Sequence, residues 1–201
     1  MVRKPTDPSE VRGRLLGAAA DLLSTSVETS IGVRDIAAAS GLSSRTFYEH
    51  FADKDDFFYH YWCDLQVAVT ERIAARAMLE DDPIERIRAF CREIFNPHSA
   101  VTASGAPLRY YMRLSQTAPN KIARGMRPLY DVLVGLITDA QQAGLLHDKD
   151  PHRLAAPMLE LLSMSATSHL YGLTLTPEPS SVEDVVDFCL DGLGARPDPS
   201  A

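Results

Sequence analysis

Three of the four Asp-Pro pairs, at positions 7–8, 82–83 and 150–151, each stand directly before a run of apolar residues at helical spacing. An aspartate at an N-cap satisfies an orphan backbone N–H, and a proline at the first helical position loses nothing by lacking one. Asp7 with Glu10, and Asp82 with Glu85, also have capping-box spacing. Leu15, Leu16, Ala19, Leu22 and Leu23 predict a first helix over residues 9–25. Phe57, Phe58, Tyr61, Trp62, Leu65, Val69 and Ile73 predict a long one over 53–78. Further stripes run from Ile84 to Phe95, from Ile122 to Ile137, over 151–171, and from Val182 to Leu193. Gly144 and Gly172 sit where C-terminal caps belong, and Pro128 either kinks its helix or starts it late. Residues 96–107 read as loop, and 195–201, rich in Pro and Asp, as a disordered tail. Almost no segment alternates with period two. The expectation is an all-α chain of about nine helices.

Composition narrows the class. With 45% hydrophobic and 23% charged residues the chain can bury a sizeable core. No stretch approaches the roughly 18 apolar residues of a membrane helix, and the first residues do not read as a signal peptide. Cys63, Cys91 and Cys189 are widely spaced within apolar patterns, so they read as buried thiols of a reducing cytoplasm. The net charge of −7 gives nucleic-acid binding no support. Residues 1–60 hold seven Lys+Arg against nine Asp+Glu, and the remainder 13 against 18. A DNA-binding function must therefore rest on a few placed cations.

Residues 31–51 carry such a placement. Val33, Ile36 and Ala37 mark a short amphipathic helix. Gly41 can take the left-handed backbone of a sharp turn, Leu42 plugs the corner, and Ser43 is a natural N-cap for a second short helix. On that second helix Phe47 and Phe51, four apart, face inward, and Ser44, Arg45 and Tyr48 lie on the opposite side. Two short helices joined by a Gly turn make a helix-turn-helix, whose second helix enters the major groove. Arg45 can fork onto guanine O6 and N7, while Ser43, Thr46 and Tyr48 suit phosphate oxygens. Lys54, at the start of the next helix, adds a cation beside backbone N–H groups. Arg34, with Arg3 and Lys4, can add backbone contacts. Asp53, Asp55 and Asp56 fall in a first helical turn, where the dipole favours them.

From Arg34 to Lys54 the chain resembles the TetR family, whose helix-turn-helix reads much like R-D-I-A-x-x-A/S-G-V/L-S-x-x-T-L/F-Y-x-H/Y-F-x-x-K. The Thr46, Phe47, Tyr48, His50, Phe51 and Lys54 cluster at fixed offsets carries most of that resemblance, which extends over about residues 8–61. It implies a three-helix DNA-binding head over 1–52 and an effector-binding, dimerising body over 53–201. It also implies DNA contacts from Ser44, Arg45, Thr46, Tyr48, His50 and Lys54. The chain departs from the pattern at Ser44-Arg45, where many members carry Lys-Gly or Arg-Gly.

In the body, aromatic and sulfur-bearing side chains suit an apolar cavity with a few polar groups. Trp62, Phe95, Tyr111, Met126, Tyr130 and His169 are the candidate effector contacts. Taken singly, each is more often core packing, and His169 more often a hydrogen-bonded core or interface residue. The stretch 151–171 is apolar on more than one side, so one flank can face the body and the other a second subunit. His147, Asp148, Asp150 and His152 offer metal-ligand atoms, but a capped turn accounts for them. No metal or cofactor is expected. No phosphate loop, nucleophile elbow or facing carboxylate pair supports an enzyme. The function expected is a sequence-specific repressor on an inverted-repeat operator of double-stranded DNA. It would be a homodimer, cytoplasmic and off the membrane, released by a small apolar or amphipathic effector. A helical adaptor is the competing class.

Overall fold

In a computed structural model the described residues, 7–25, 31–96, 114–173 and 180–194, form α-helices joined by turns, with no strand among them. In chain order they are α1 (Pro8–Thr25), α2 (Val33–Ala39), α3 (Ser44–His50), α4 (Lys54–Ala77), α5 (Pro83–Ile94), α6 (Pro119–Gln142), α7 (Pro151–Tyr171) and α8 (Val182–Leu193). Residues 114–117 add a further helical turn. The all-α expectation of about nine helices is met. No helix of the described residues is long and apolar enough to cross a membrane.

The Asp-Pro pairs at 7–8, 82–83 and 150–151 each cap a helix. The Asp7 carboxylate accepts from the Ser9 N–H at 2.9 Å, Asp82 from Ile84 and Glu85 at 2.7 and 3.0 Å, and Asp150 from His152 at 2.9 Å. Glu85 pairs with the Arg88 guanidinium at 3.2 Å. Pro128 does not delay its helix: α6 begins at Pro119 and runs through it. The loop expected over 96–107 lies outside the described residues beyond Asn96, as does the tail over 195–201.

Two compact units emerge. Among the described residues the first comprises 7–25, 31–65 and 114–122, the second 66–96, 123–173 and 180–194. In the first, α1 packs on α2 and α3. Val11, Leu15, Ala19, Ile36, Phe47, Phe51 and Phe57 form its buried core, with Leu42, Phe58 and Tyr61 packed against them. Phe47, Phe51 and Phe57 are mutual neighbours at 4.9–5.4 Å between ring centres. Such tilted and edge-on aromatic pairs add about 0.5–1.5 kcal/mol each beyond area burial.

In the second unit α5 packs on α7 and α8, which also pack on each other. Ile87, Phe90, Cys91, Leu133, Leu136, Ile137, Leu162 and Val186 are buried there. Burial pushes the Cys91 and Cys189 thiols up, away from the reactive thiolate. Arg92 of α5 grips Glu183 of α8 with two bonds, at 2.7 and 2.8 Å, and Arg88 reaches Asp187 at 2.6 Å. One buried group in α4 is anomalous. Thr138 and Thr167 each donate to the carbonyl four residues back at 2.8 Å, whereas the buried Thr70 hydroxyl has no hydrogen-bond partner.

Candidate nucleic-acid interface

The site is built by the passage from α2 to α3. At the start of α2 the Asp35 carboxylate reaches back to the Gly32 N–H at 2.7 Å. At its end the Leu42 N–H donates to Ala37 O at 2.9 Å and Gly41 N–H to Ala38 O at 3.1 Å. That bond pair is a Schellman close, which requires a left-handed residue, and Gly41 supplies it at φ +66°. The Ser40 hydroxyl donates to Ala37 O at 2.9 Å, and Arg14 of α1 donates to Ser40 O at 2.6 Å.

Ser43 then opens α3. Its backbone is extended, and its hydroxyl oxygen accepts from the Thr46 N–H at 3.1 Å. The Ser43 and Thr46 hydroxyls lie 2.9 Å apart, each able to donate to the other. When Thr46 donates, the Ser43 O–H is left to serve an outside acceptor. Along α3, Phe47 is fully buried, while Arg45, Tyr48 and Glu49 are exposed and Ser44, Thr46 and His50 are partly so. Tyr48 is 58% exposed, with its ring edge-on to Phe47. The helix therefore turns an aromatic face inward and a polar, hydrogen-bonding face outward.

The cations expected near this face are exposed: Arg34 on α2, Arg45 on α3 and Lys54 at the start of α4. Lys54 sits 5.7 Å above the Phe58 ring. Asp53 caps α4 by accepting from the Asp56 N–H at 2.8 Å, and Asp56 accepts from the Ala52 N–H at 3.1 Å. The chain's own carboxylates thus take up part of the helix start at which an outside anion was expected. Arg3 and Lys4 lie outside the described residues. Glu49, which the sequence reading did not single out, holds Arg45: Nε donates to Oε1 at 3.1 Å. Its i,i+4 spacing from Arg45 was the available signal.

The candidate effector contacts are placed more diversely. Trp62 is buried in the first unit, where burial also holds the neighbouring Tyr61 phenol above its usual range. In the second unit Phe95 and His169 meet edge-on at 5.2 Å, with His169 exposed and its Nδ1 3.1 Å from Ser165 O. Met126 is half-buried. The Tyr130 hydroxyl lies 2.9 Å from His152 Nδ1 and donates to His152 O at 3.3 Å. Tyr111 lies outside the described residues. Among the described residues no group of three or more His, Cys, Asp or Glu is disposed to hold a metal ion.

Residues 15–61 match the family model described as "Bacterial regulatory proteins, tetR family". Among solved structures, the chain is similar to the TetR-family repressor FadR of Thermus thermophilus in complex with lauroyl-CoA. That likeness has 18% identity and a TM-score of 0.68, and covers 94% of this chain and 98% of that one. The fatty acid degradation regulator FadR of Bacillus halodurans has 17% identity and a TM-score of 0.67, over 97% and 100% of the two chains. RolR in complex with resorcinol has 15% identity and a TM-score of 0.72, over 94% and 90%. At these identities the structural likeness shows the fold. No curated protein sequence matches the chain.

Proposed function

We propose that this chain, which belongs to the tetR family of bacterial regulatory proteins, is a repressor that binds an inverted-repeat operator as a homodimer and leaves it when a small molecule binds. The observation that carries the reading is the two-sidedness of α3. Phe47 and Phe51 anchor it to α1 and α4, leaving Ser44, Arg45 and Tyr48 to face a major groove. Arg45 selects guanine, and the Ser43, Thr46, Tyr48, His50, Arg34 and Lys54 side chains set register on the phosphates. The head is taken to end at residue 52 and the body to begin at 53.

Dimerisation is supported by the outer surfaces of α7 and α8. Leu161, Met164 and Leu170 on α7 and Phe188 on α8 are all exposed, Phe188 by 68% and Met164 by 67%. A C2 pairing of these two helices with their copies would bury them. A homodimer carries two copies of α3, which suits an operator of two half-sites.

The effector is expected to be apolar or amphipathic, held in the second unit, where Phe95, Met126, Tyr130 and His169 lie. Lauroyl-CoA in one fold neighbour and resorcinol in another are ligands of that broad kind. Release follows if the ligand prefers a tilt of α4 that spoils the half-site distance; it can shift the equilibrium only by that preference. A chain of this kind performs no catalysis.

The test is selection from a random duplex pool by wild type and by Arg45→Ala. An enriched inverted repeat, weakened by the substitution, is the expected result. A folded protein that enriches nothing at low salt would favour the adaptor reading. Sedimentation at micromolar concentration should give a dimer, and a strict monomer removes the operator geometry.

A further inference from the structure

The recognition helix carries a carboxylate that nothing in its own folding calls for. Glu49 is the penultimate residue of α3. There the helix dipole disfavours a negative charge, and the Arg-before-Glu order is the weaker orientation of an i,i+4 pair. Its side chain is 56% exposed and that of Arg45 90%, so the pair adds almost nothing to stability. It also stands on the face offered to a polyanion. Its one visible effect is on Arg45, whose Nε it holds at 3.1 Å.

That contact has a chemical consequence. A guanidinium can fork onto guanine either through Nε and one terminal nitrogen or through both terminal nitrogens. With Nε donated to Glu49, only the end-on fork remains. While that contact is made, a long side chain that would otherwise sample many rotamers is biased toward one presentation. The neutralised pair is also a weaker ligand for phosphate than a free arginine.

We propose that Glu49 is a positioning residue for base readout: it holds Arg45 for end-on recognition of one guanine per half-site, giving up general DNA affinity for discrimination. The inference rests on the DNA-binding reading of α3. It predicts effects of opposite sign. Glu49→Gln, isosteric and of similar helix propensity, should bind a scrambled duplex several-fold more tightly than wild type. Its preference for the enriched operator over the scrambled duplex should fall by about ten-fold, within the range of one good bidentate pair. The lost preference should map to the same base pair that Arg45→Ala relaxes. In an Arg45→Ala background, Glu49→Gln should leave the preference unchanged, since the partner it positions is gone.

The experiment is duplex selection followed by titration of operator and scrambled duplex at several salt concentrations, with helicity checked by circular dichroism. An unchanged operator preference in Glu49→Gln overturns the proposal while leaving the DNA-binding reading standing. A parallel loss on both duplexes also overturns it, because that is the mark of a structural role. A wild-type protein that enriches no sequence overturns both.

Discussion

The guanidinium of Arg14, in the first helix, donates to the backbone carbonyl of Ser40 at 2.6 Å, tying α1 to the end of α2 at the point where the chain turns toward α3. A Cβ on Gly41 would stand 3.0 Å from the same Arg14 nitrogen, so turn and arginine are fitted to each other. A charged donor to a part-buried carbonyl contributes about 1.5–3 kcal/mol. Arg14→Met, which keeps the apolar stem, should destabilise the protein by that order in denaturant melts. No loss would mean that the turn holds without the arginine.

Lys54 and Arg45 should fail differently. Lys54 contributes charge beside Phe58 and no base-reading fork. Lys54→Ala should weaken operator and scrambled duplexes alike, and lower the slope of log affinity against log salt by about 1. A base-specific loss from Lys54→Ala would contradict its assignment to the phosphates.

Acid should loosen the α5–α8 clamp. The two bonds from Arg92 hold the Glu183 carboxyl below the usual glutamate range. Its folded-state pKa is thus below its unfolded one. The stabilisation is complete above the unfolded value, about 4.3, and is lost as pH falls through the lowered folded value. Melting midpoints of wild type and Glu183→Gln should differ at neutral pH and converge below that window. A gap that persists in strong acid would assign the difference to packing.

Gly194 ends α8 at φ +72°, and any Cβ there would collide with the His147 ring. The backbone strain alone costs about 1–2 kcal/mol. Gly194→Ala should therefore destabilise by more than that, and adding His147→Ala should recover the steric part. Additive losses in the double variant would show that the ring moves aside freely.

Thr70→Val removes a buried hydroxyl that has no hydrogen-bond partner and keeps the side chain's shape. The desolvation of such a group costs about 1–3 kcal/mol. The ligand-free valine variant should be as stable as wild type or more so, as read from chemical denaturation. A clear loss would mean that the hydroxyl is satisfied in solution.

Much of this was legible in the sequence because caps and turns are local. Asp7, Asp82 and Asp150 bond N–H groups two or three residues away, and Gly41 closes α2 over six residues, so spacing alone exposes them. The inward Phe47 and Phe51 followed from helical period for the same reason. Tertiary partners did not follow. Nothing local links Arg92 to Glu183, 91 positions away, or Arg14 to Ser40, 26 away. Pro128 left open a late start that the helix does not take, because proline's penalty is local and a helix that buries Leu129, Leu133 and Leu136 can absorb it. Phe95 and His169 meet across the gap between α5 and α7, a contact that spacing could not announce, since a shared lining is a property of packing.

The division of α3 into an aromatic inner face and a polar outer one separates two kinds of mutational risk. Changes at Phe47 or Phe51 strike the head's core and threaten folding. Changes at Ser44, Arg45, Tyr48 or Glu49 leave that core untouched. On the proposed DNA-binding role of α3, a lineage carrying this helix can drift from one operator to another by outward substitutions, each tolerated by the fold. The reading surface is thus a replaceable part on a fixed mount.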